Sequence, residues 1–334
     1  MLEQAWYKQR VWLKALRPLS ALFVALTKHR RQQYVSGNKV IWQSPVPLVI
    51  VGNISVGGTG KSPLVIWLVN WLREQGYKPG VISRGYGANP ASFPFSVTSA
   101  TLPAEGGDEP VMIARRTSAP LVIDPDRPAA ARYLLQEFDC DIIISDDGMQ
   151  HYALGRDIEI AVVDGQRGFA NERCLPEGPL REPVERLASV DFIVMNGKAE
   201  HVLNYPFAEM HLVAGDIQPV DIHSEQEGLA PVQFARGHAK VHGVAAIGNP
   251  ERFFIALEQF GMKVKRHAFS DHHAYEISDF SFADGESIIM TEKDAVKCAH
   301  IPLKDAWYMP VDAQLDTEFA DKLAEHLKAL KFKK

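Results

Sequence analysis

The feature that most constrains this 334-residue chain is an order of three pieces: the apolar run Pro47-Leu48-Val49-Ile50-Val51, the stretch Gly57-Gly58-Thr59-Gly60-Lys61-Ser62-Pro63, and an apolar, helix-like segment from Leu64. Strand, glycine loop and helix in that order predict a phosphate cradle set into an α/β sheet. Glycines let the backbone take positive φ and turn its N–H groups around an anion, and the helix offers the same anion the positive end of its dipole. Lys61 is then placed to reach the β- and γ-phosphates, and the Ser62 hydroxyl to reach Mg²⁺. The loop is a variant of G-x-x-x-x-G-K-[ST], with Ser55 at the first glycine position and Gly57 and Gly58 supplying the flexibility. Gly57, Gly58, Thr59, Gly60, Lys61 and Ser62 are the expected nucleoside triphosphate-binding residues.

Further strands recur with α/β spacing at Pro79–Ser83, Pro120–Ile123, Asp141–Ser145, Glu159–Val163 and Phe192–Met195, several of them continuous apolar runs of the kind buried on both faces. Helical stretches at Leu64–Gln75, Glu109–Arg116 and Pro128–Phe138 lie between them, so the region reads as a doubly wound sheet with ligands at the carboxyl ends of its strands. The pattern loosens after Lys198 and restarts at Val241. A helix from Pro250 to Phe260, strands at Ser287–Thr291 and Ala306–Val311 and a terminal helix at Asp316–Leu330 follow. The expected organisation is an N-terminal arm over residues 1–40, a phosphate-loop domain over 41–205, a β linker over 206–230 and a smaller α/β domain over 231–334. The formal net charge of −5 and the lack of a basic block in the body of the chain argue against nucleic acid as a partner. Cys140, Cys174 and Cys298 stand far apart, which argues against a disulfide framework and against zinc.

The arm differs from the rest. It combines Trp6, Tyr7, Trp12, Leu13, Leu16, Leu19, Leu22, Phe23 and Leu26 with Lys8, Arg10, Lys14, Arg17, Lys28, Arg30 and Arg31, and Glu3 is its only acid. Its uncharged run, Pro18 to Thr27, is ten residues long, about half of the ~20 needed to span a bilayer. An amphipathic helix lying in the membrane interface is one reading, and a helix packed on its own domain with a solvated basic face is the other.

Asp141-Ile142-Ile143-Ile144-Ser145-Asp146-Asp147 is an apolar strand ending in two carboxylates, the means by which a strand beside a phosphate loop delivers acids to Mg²⁺. A solvated turn would look the same in isolation, but adjacent like charges favour a cation between them. His151 continues the same loop. Asp108 follows Gly106-Gly107 and leaves room for a functional role, whereas Glu109 is an ordinary acid at a helix start. Arg84 ends another strand at the same sheet edge. Arg127 and the loop Gly178-Pro179-Leu180-Arg181-Glu182-Pro183 offer fixed charges that suit phosphate or sugar groups and would equally suit surface ion pairs. Asp271-His272-His273 fits a histidine–carboxylate proton relay better than a zinc site, since neighbouring residues point apart.

Taken together with Ser-Arg-Gly-Tyr-Gly at 83–87, Gly-Gly-Asp-Glu-Pro at 106–110, Asp-Asp-Gly-Met-Gln-His at 146–151, Gly-Pro-Leu-Arg-Glu-Pro at 178–183 and Thr-Glu-Lys-Asp at 291–294, these motifs closely resemble those of the tetraacyldisaccharide 4′-kinase family of the lipid A pathway. The resemblance covers nearly the whole chain. It implies transfer of the ATP γ-phosphate to the 4′-hydroxyl of a tetraacyldisaccharide 1-phosphate, with Mg²⁺, at the cytoplasmic face of the bacterial inner membrane. It implies two α/β/α domains, the first like a P-loop NTPase, joined by a short β linker, with the amphipathic arm on the membrane and no obligate protein partner. It further implies catalytic roles for Asp108 paired with His272 and for Lys61, Asp147 and Arg127, metal contacts from Ser62, Asp146, Asp147 and Glu182, and active-site positions for His151, Arg181 and Arg84. His273 competes with His272 for the pairing. The alternative is a membrane-recruited ATPase switch, under which the second domain and Asp271-His272-His273 lack an evident task.

Overall fold

The computed structural model describes residues 2–200, 203–221, 224, 226–271 and 273–330. The chain opens with a helical arm of α1 (Leu2–Tyr7), a 3₁₀ turn over Val11–Leu16, and α2 (Arg17–Val35). There follow β1 (Leu48–Gly52), α3 (Lys61–Glu74), β2 (Pro79–Ser83), β3 (Phe95–Val97), α4 (Pro103–Gly106), α5 (Asp108–Thr117), β4 (Leu121–Ile123), α6 (Arg127–Glu137), β5 (Ile142–Asp146), β6 (Ile158–Asp164), β7 (Phe192–Asn196) and β8 (Ala208–Ala214). The second unit holds β9 (Gln218–Pro219), α7 (Pro231–Gly237), β10 (Lys240–Ala245), α8 (Pro250–Gln259), β11 (Lys263–Ala268), β12 (Ser287–Thr291), α9 (Glu292–Cys298) and β13 (Ala306–Met309). The last elements are β14 (Val311–Leu315) and α10 (Thr317–Ala329).

The strands form a nine-stranded sheet in the order β3-β4-β2-β5-β1-β6-β7-β8-β14 and a five-stranded sheet in the order β11-β10-β12-β13-β9. The phosphate-loop strand β1 is central, parallel to β5 on one side and β6 on the other. Antiparallel strands occur at the edges, β3 against β4 and β14 against β8. All five residues of β1 are buried, and they alternate between two cores. Val49 and Val51 pack toward α3, α5 and α10, while Leu48 and Ile50 face α6 and the inner side of α2. Burying each such aliphatic side chain is worth ~1.5–3 kcal/mol, and it fixes the strand so that its loop emerges at the carboxyl edge of the sheet.

The structure departs from the expected organisation at the C-terminal end. Pro310 lies between β13 and β14, and the single strand expected over Ala306–Val311 is two strands belonging to different sheets. Proline lacks the N–H that would continue a ladder. Beyond it, β14 pairs with β8, and Phe319, Leu323 and Leu327 of α10 join the core of the first sheet. The segment 311–329, expected in the second domain, therefore packs with the first. Of the strands in 206–230, β8 completes the first sheet and β9 the second. The arm is three helical pieces rather than one. Trp6 and Leu13 are buried against Val56, Ala170 and Leu175, Trp6 Nε1 donates to Pro176 O at 3.0 Å, and Arg17 reaches Glu177 at 3.1 Å. Trp12 is nevertheless 54% exposed and Leu26 60%, and Leu19 and Leu22 share that outer face. No described helix is long and apolar enough to cross a membrane.

Candidate active site

The glycine loop spans from β1 to α3. Gly57 and Gly60 both take φ of +95°, the left-handed region. A Cβ on Gly60 would also stand 2.4 Å from Asn196 Nδ2, so the position excludes side chains twice over. The loop is braced from its own strand and from β7. Asn53 Nδ2 donates to Thr59 Oγ1 at 3.2 Å, and Asn196 Nδ2 donates to Thr59 O at 3.0 Å. The segment carrying Arg181 and Glu182 docks alongside, with Arg181 N donating to Ile54 O at 2.6 Å. Lys61 and Ser62 open α3 directly after the loop.

Because β5 lies next to β1, Asp146 and Asp147 arrive at the same edge. Asp147 sits at φ +49°, a strained conformation for a non-glycine residue that aims its carboxylate at the cations. Lys61 Nζ is 3.5 Å from Asp147 Oδ1, and Arg181 Nη1 is 3.0 Å from Oδ2. Burial opposes the Asp147 charge, but Lys61 and Arg181 outweigh it and hold the carboxyl well below its ordinary range. Asp146 is in the opposite condition. Burial, then the charges of Glu109 and Asp147, push its pKa up to about 6. Ser83 Oγ donates to Asp146 Oδ2 at 3.2 Å, while Oδ1 is buried with no hydrogen-bond partner.

Arg127 is 1% exposed. Its Nη2 donates to Asp146 O at 2.6 Å, and its Nε and Nη1 are buried without partners. Burial lowers its pKa to about 10, opposed by Asp146 and Asp147. His151, in the same loop, is lowered to about 4 by burial and then by the charges of Arg127 and Arg84, so it is neutral near pH 7. Arg84 is itself exposed at the end of β2. Glu182 is enclosed more completely than a bare ligand would be. Gln150 Nε2 donates to its Oε1 at 2.8 Å, Tyr152 Oη donates to Oε2, and Arg186 Nε lies 3.4 Å from Oε2.

Asp108 begins α5, is 8% exposed and accepts Glu109 N at 2.9 Å. A charged neighbour from the second unit is Lys293, 3.6 Å away. His272 lies outside the described residues. His273 Nε2 is 2.9 Å from Asp279 Oδ2, and its ring stacks on Phe269 at 4.7 Å. His273 is thus occupied in holding its own loop.

Beyond the Asp271-His272-His273 run, sequence reasoning missed Gly248, Arg252 and Glu292 of the second unit. Gly248 comes so close to the phosphate loop that a Cβ there would stand 3.2 Å from Gly58 N. Arg252 Nη2 donates to Asn196 Oδ1 at 3.4 Å, and Arg116 Nη1 pairs with Glu292 at 2.9 Å. Asn53 and Asn196 carried no motif signal, being single polar residues at strand ends. Among the described residues, the grouping of three potential metal ligands within 4.8 Å is His242, Asp284 and Glu286, in the second unit. Lys265 Nζ lies 2.6 Å from Asp284 and 3.1 Å from Glu286, so an ammonium already balances those carboxylates.

A central parallel strand feeding a glycine loop, with a lysine, two arginines and an acidic pair on the adjoining strand end, defines a phosphate-loop phosphotransferase. Comparison narrows the class. Residues 12–328 match the family model described as tetraacyldisaccharide-1-P 4′-kinase. Proteins named tetraacyldisaccharide 4′-kinase are similar along nearly their whole length: one from Azotobacter vinelandii is 46% identical over 324 residues, 95% of this chain and 94% of that protein. One from Methylobacillus flagellatus is 47% identical over 330 residues, 98% and 96% respectively. The crystal structure of LpxK from Aquifex aeolicus in complex with ATP superimposes with a TM-score of 0.79 at 27% identity, covering 95% of this chain and 99% of that one. The chain belongs to the tetraacyldisaccharide 4′-kinase family.

Proposed function

We propose that the chain transfers the γ-phosphate of ATP to the 4′-hydroxyl of a tetraacyldisaccharide 1-phosphate at the cytoplasmic face of the bacterial inner membrane. The observation that carries this reading is the convergence of the loop at 57–60, Lys61, Arg127, Arg181 and the Asp146-Asp147 pair at one sheet edge, in a chain of this family. Loop N–H groups and Lys61 hold the β- and γ-phosphates, and Arg127 and Arg181 balance charge on the transferring group. Ser62, Asp146 and Asp147 would hold Mg²⁺, with Glu182 supporting them. The donors are all oxygens, as that ion prefers, and the unpartnered Asp146 Oδ1 fits a cation. When bound, Mg²⁺ supplies neutralisation of the phosphate charge.

Asp108, partnered by His272, accepts the proton of the 4′-hydroxyl. The hydroxyl oxygen forms a bond to the γ-phosphorus, the bond from that phosphorus to the β–γ bridging oxygen breaks, and ADP leaves. His151, neutral near pH 7, adds a hydrogen-bonding group without adding charge. Arg84, exposed and close enough to Arg127 and His151 to act on their charge, is suited to the acceptor.

The acceptor carries acyl chains, each buried CH₂ being worth ~0.8 kcal/mol, so the enzyme must meet it at the bilayer. The outward row Trp12, Leu19, Leu22 and Leu26, flanked by exposed Lys8, Arg10, Lys14 and Arg30, suits an anionic interface.

The test is Mg²⁺-dependent transfer of labelled γ-phosphate from ATP to tetraacyldisaccharide 1-phosphate in detergent micelles. Lipid labelling that Lys61→Ala and Asp108→Ala each abolish is the expected result. Hydrolysis of ATP without lipid labelling would overturn the assignment in favour of an ATPase switch. For the arm, Leu19→Glu with Leu22→Glu should reduce sedimentation with phosphatidylglycerol vesicles ~10-fold or more, and unchanged sedimentation would contradict the membrane role.

A further inference from the structure

The first turn of α9 breaks a local rule. Thr291 caps the helix, its Oγ1 accepting Asp294 N at 3.3 Å, and Glu292 and Asp294 are the acids that a helix N-terminus favours. Lys293 stands between them, a cation placed against the helix dipole with a side chain only 13% exposed. Departures of this kind from local preference are expected where a residue serves a site rather than its own element.

Its ammonium lies among three carboxylates. Glu109 Oε1 is 3.1 Å away, Asp271 Oδ1 3.4 Å and Asp108 Oδ2 3.6 Å. Asp108 and Glu109 open α5 on the first sheet, while Asp271 belongs to the second unit, so the lysine joins the two. Its approach is fixed independently, because Arg116 on α5 pairs with Glu292 at 2.9 Å and also with Asp312. Burial opposes the lysine charge, but Glu109, Asp108 and Asp271 outweigh burial and hold the ammonium above its ordinary range. Without that charge the carboxylates would repel one another, and Asp108 would turn away from the acceptor hydroxyl.

We propose that Lys293 is a positioning residue for phosphoryl transfer, holding the Asp108 carboxylate in place across the seam between the two units. The inference rests on the reading of Asp108 as the base. Lys293 acts through Asp108 and needs no contact with either substrate. An ordinary seam ion pair would alter stability or substrate affinity; a positioning residue alters turnover.

The experiment measures kcat and both KM values for the full-length enzyme carrying Lys293→Met, Lys293→Gln, Lys293→Arg, Asp108→Asn and the Lys293→Met, Asp108→Asn pair. Thermal melting and ATP affinity verify the fold, and Lys293→Gln replaces Lys293→Met throughout if the latter does not fold. The expected result is a ~10²-fold loss of kcat in Lys293→Met with KM for ATP within ~3-fold, and recovery in Lys293→Arg to within ~10-fold of the parent. In the Asp108→Asn background, Lys293→Met should cost less than ~3-fold more, since both changes disable one unit. A Lys293→Met enzyme within ~3-fold of the parent kcat, a loss confined to KM, or no recovery by arginine would overturn the proposal while leaving Asp108 as the base if Asp108→Asn is inactive. Full turnover in Asp108→Asn would overturn the reading of Asp108 itself, and the inference with it.

Discussion

Two charged clusters, one on each sheet, use the same residue types and end in different states. On the second sheet, Asp284 has His242 at 3.0 Å and Lys265 at 2.6 Å, and Glu286 has Lys265 at 3.1 Å. Each carboxylate has an answering cation or imidazole: Glu286 Oε2, buried without a hydrogen bond like Asp146 Oδ1, still has the Lys265 ammonium as its ion-pair partner, and half of the Asp284 side chain is in water. At the edge of the first sheet, Asp146 keeps a buried oxygen without a hydrogen bond, and Arg127 keeps two buried nitrogens without partners. Burying polar atoms unpaired costs ~1–3 kcal/mol each, so such a site persists where a ligand answers it. On the function proposed above, the first cluster serves phosphate and cation, and the second is an ion-pair network.

The comparison is broken most directly by removing catalytic charge. Lys61→Ala should lower lipid phosphorylation ~10³-fold in the micellar assay, whereas Lys265→Ala should leave it within ~2-fold. Equal losses would show that the two clusters do not differ in kind. Arg127→Met comes next. It should lower kcat ~10²-fold and also lower the melting temperature, since it removes the Nη2 bond to Asp146 O and the charge that balances the buried Asp146 and Asp147.

Stability gives the reverse test. The pKa of Asp146 is raised by folding from 3.8 to about 6, so the folded state favours its protonated form. Its contribution is therefore favourable at pH values below 3.8, and it is lost as pH rises through about 6. Asp146→Asn should then stabilise the protein by ~1–3 kcal/mol in urea titrations at pH 7.5 while lowering transfer, and Asp284→Asn should change stability by less than ~1 kcal/mol. The smallest effect concerns His151, whose pKa falls on folding from 6.5 to about 4. The unfolded chain takes up this proton first, so between about pH 6.5 and about pH 4 acidification penalises the folded state. His151→Asn should lose less stability than the parent over that window, and parallel curves would place the histidine in water.

Much of the first sheet was legible because its strands are continuous apolar runs, and Pro79–Ser83 in it, like Ser287–Thr291 in the second sheet, has the bounds expected of it. Lys263–Ala268 was not legible as a strand, being a charged, largely exposed edge without an apolar period. The return of β14 and α10 to the first sheet was hidden for another reason: local pattern identifies a strand, but pairing with β8 is decided by the chain's path through Pro310. In the site, the loop, Lys61 and the Asp146-Asp147 pair were readable because their chemistry requires a fixed sequence spacing. The contacts of Lys293, although it lies in the quoted Thr-Glu-Lys-Asp, and of Asn196 were not, because they reach elements distant in sequence, and Asn53 is a single polar residue after a strand.

The central claim is that Asp146 on the first sheet, and not the ion-pair cluster on the second, answers to the nucleotide and its cation. Calorimetric titration of ATP at pH 7.5, with and without Mg²⁺, into the parent, Asp146→Asn and Asp284→Asn proteins tests it. Mg²⁺ should tighten ATP binding ~10-fold or more in the parent and in Asp284→Asn, and by less than ~2-fold in Asp146→Asn. An undiminished Mg²⁺ effect in Asp146→Asn, or its loss in Asp284→Asn, would contradict the account.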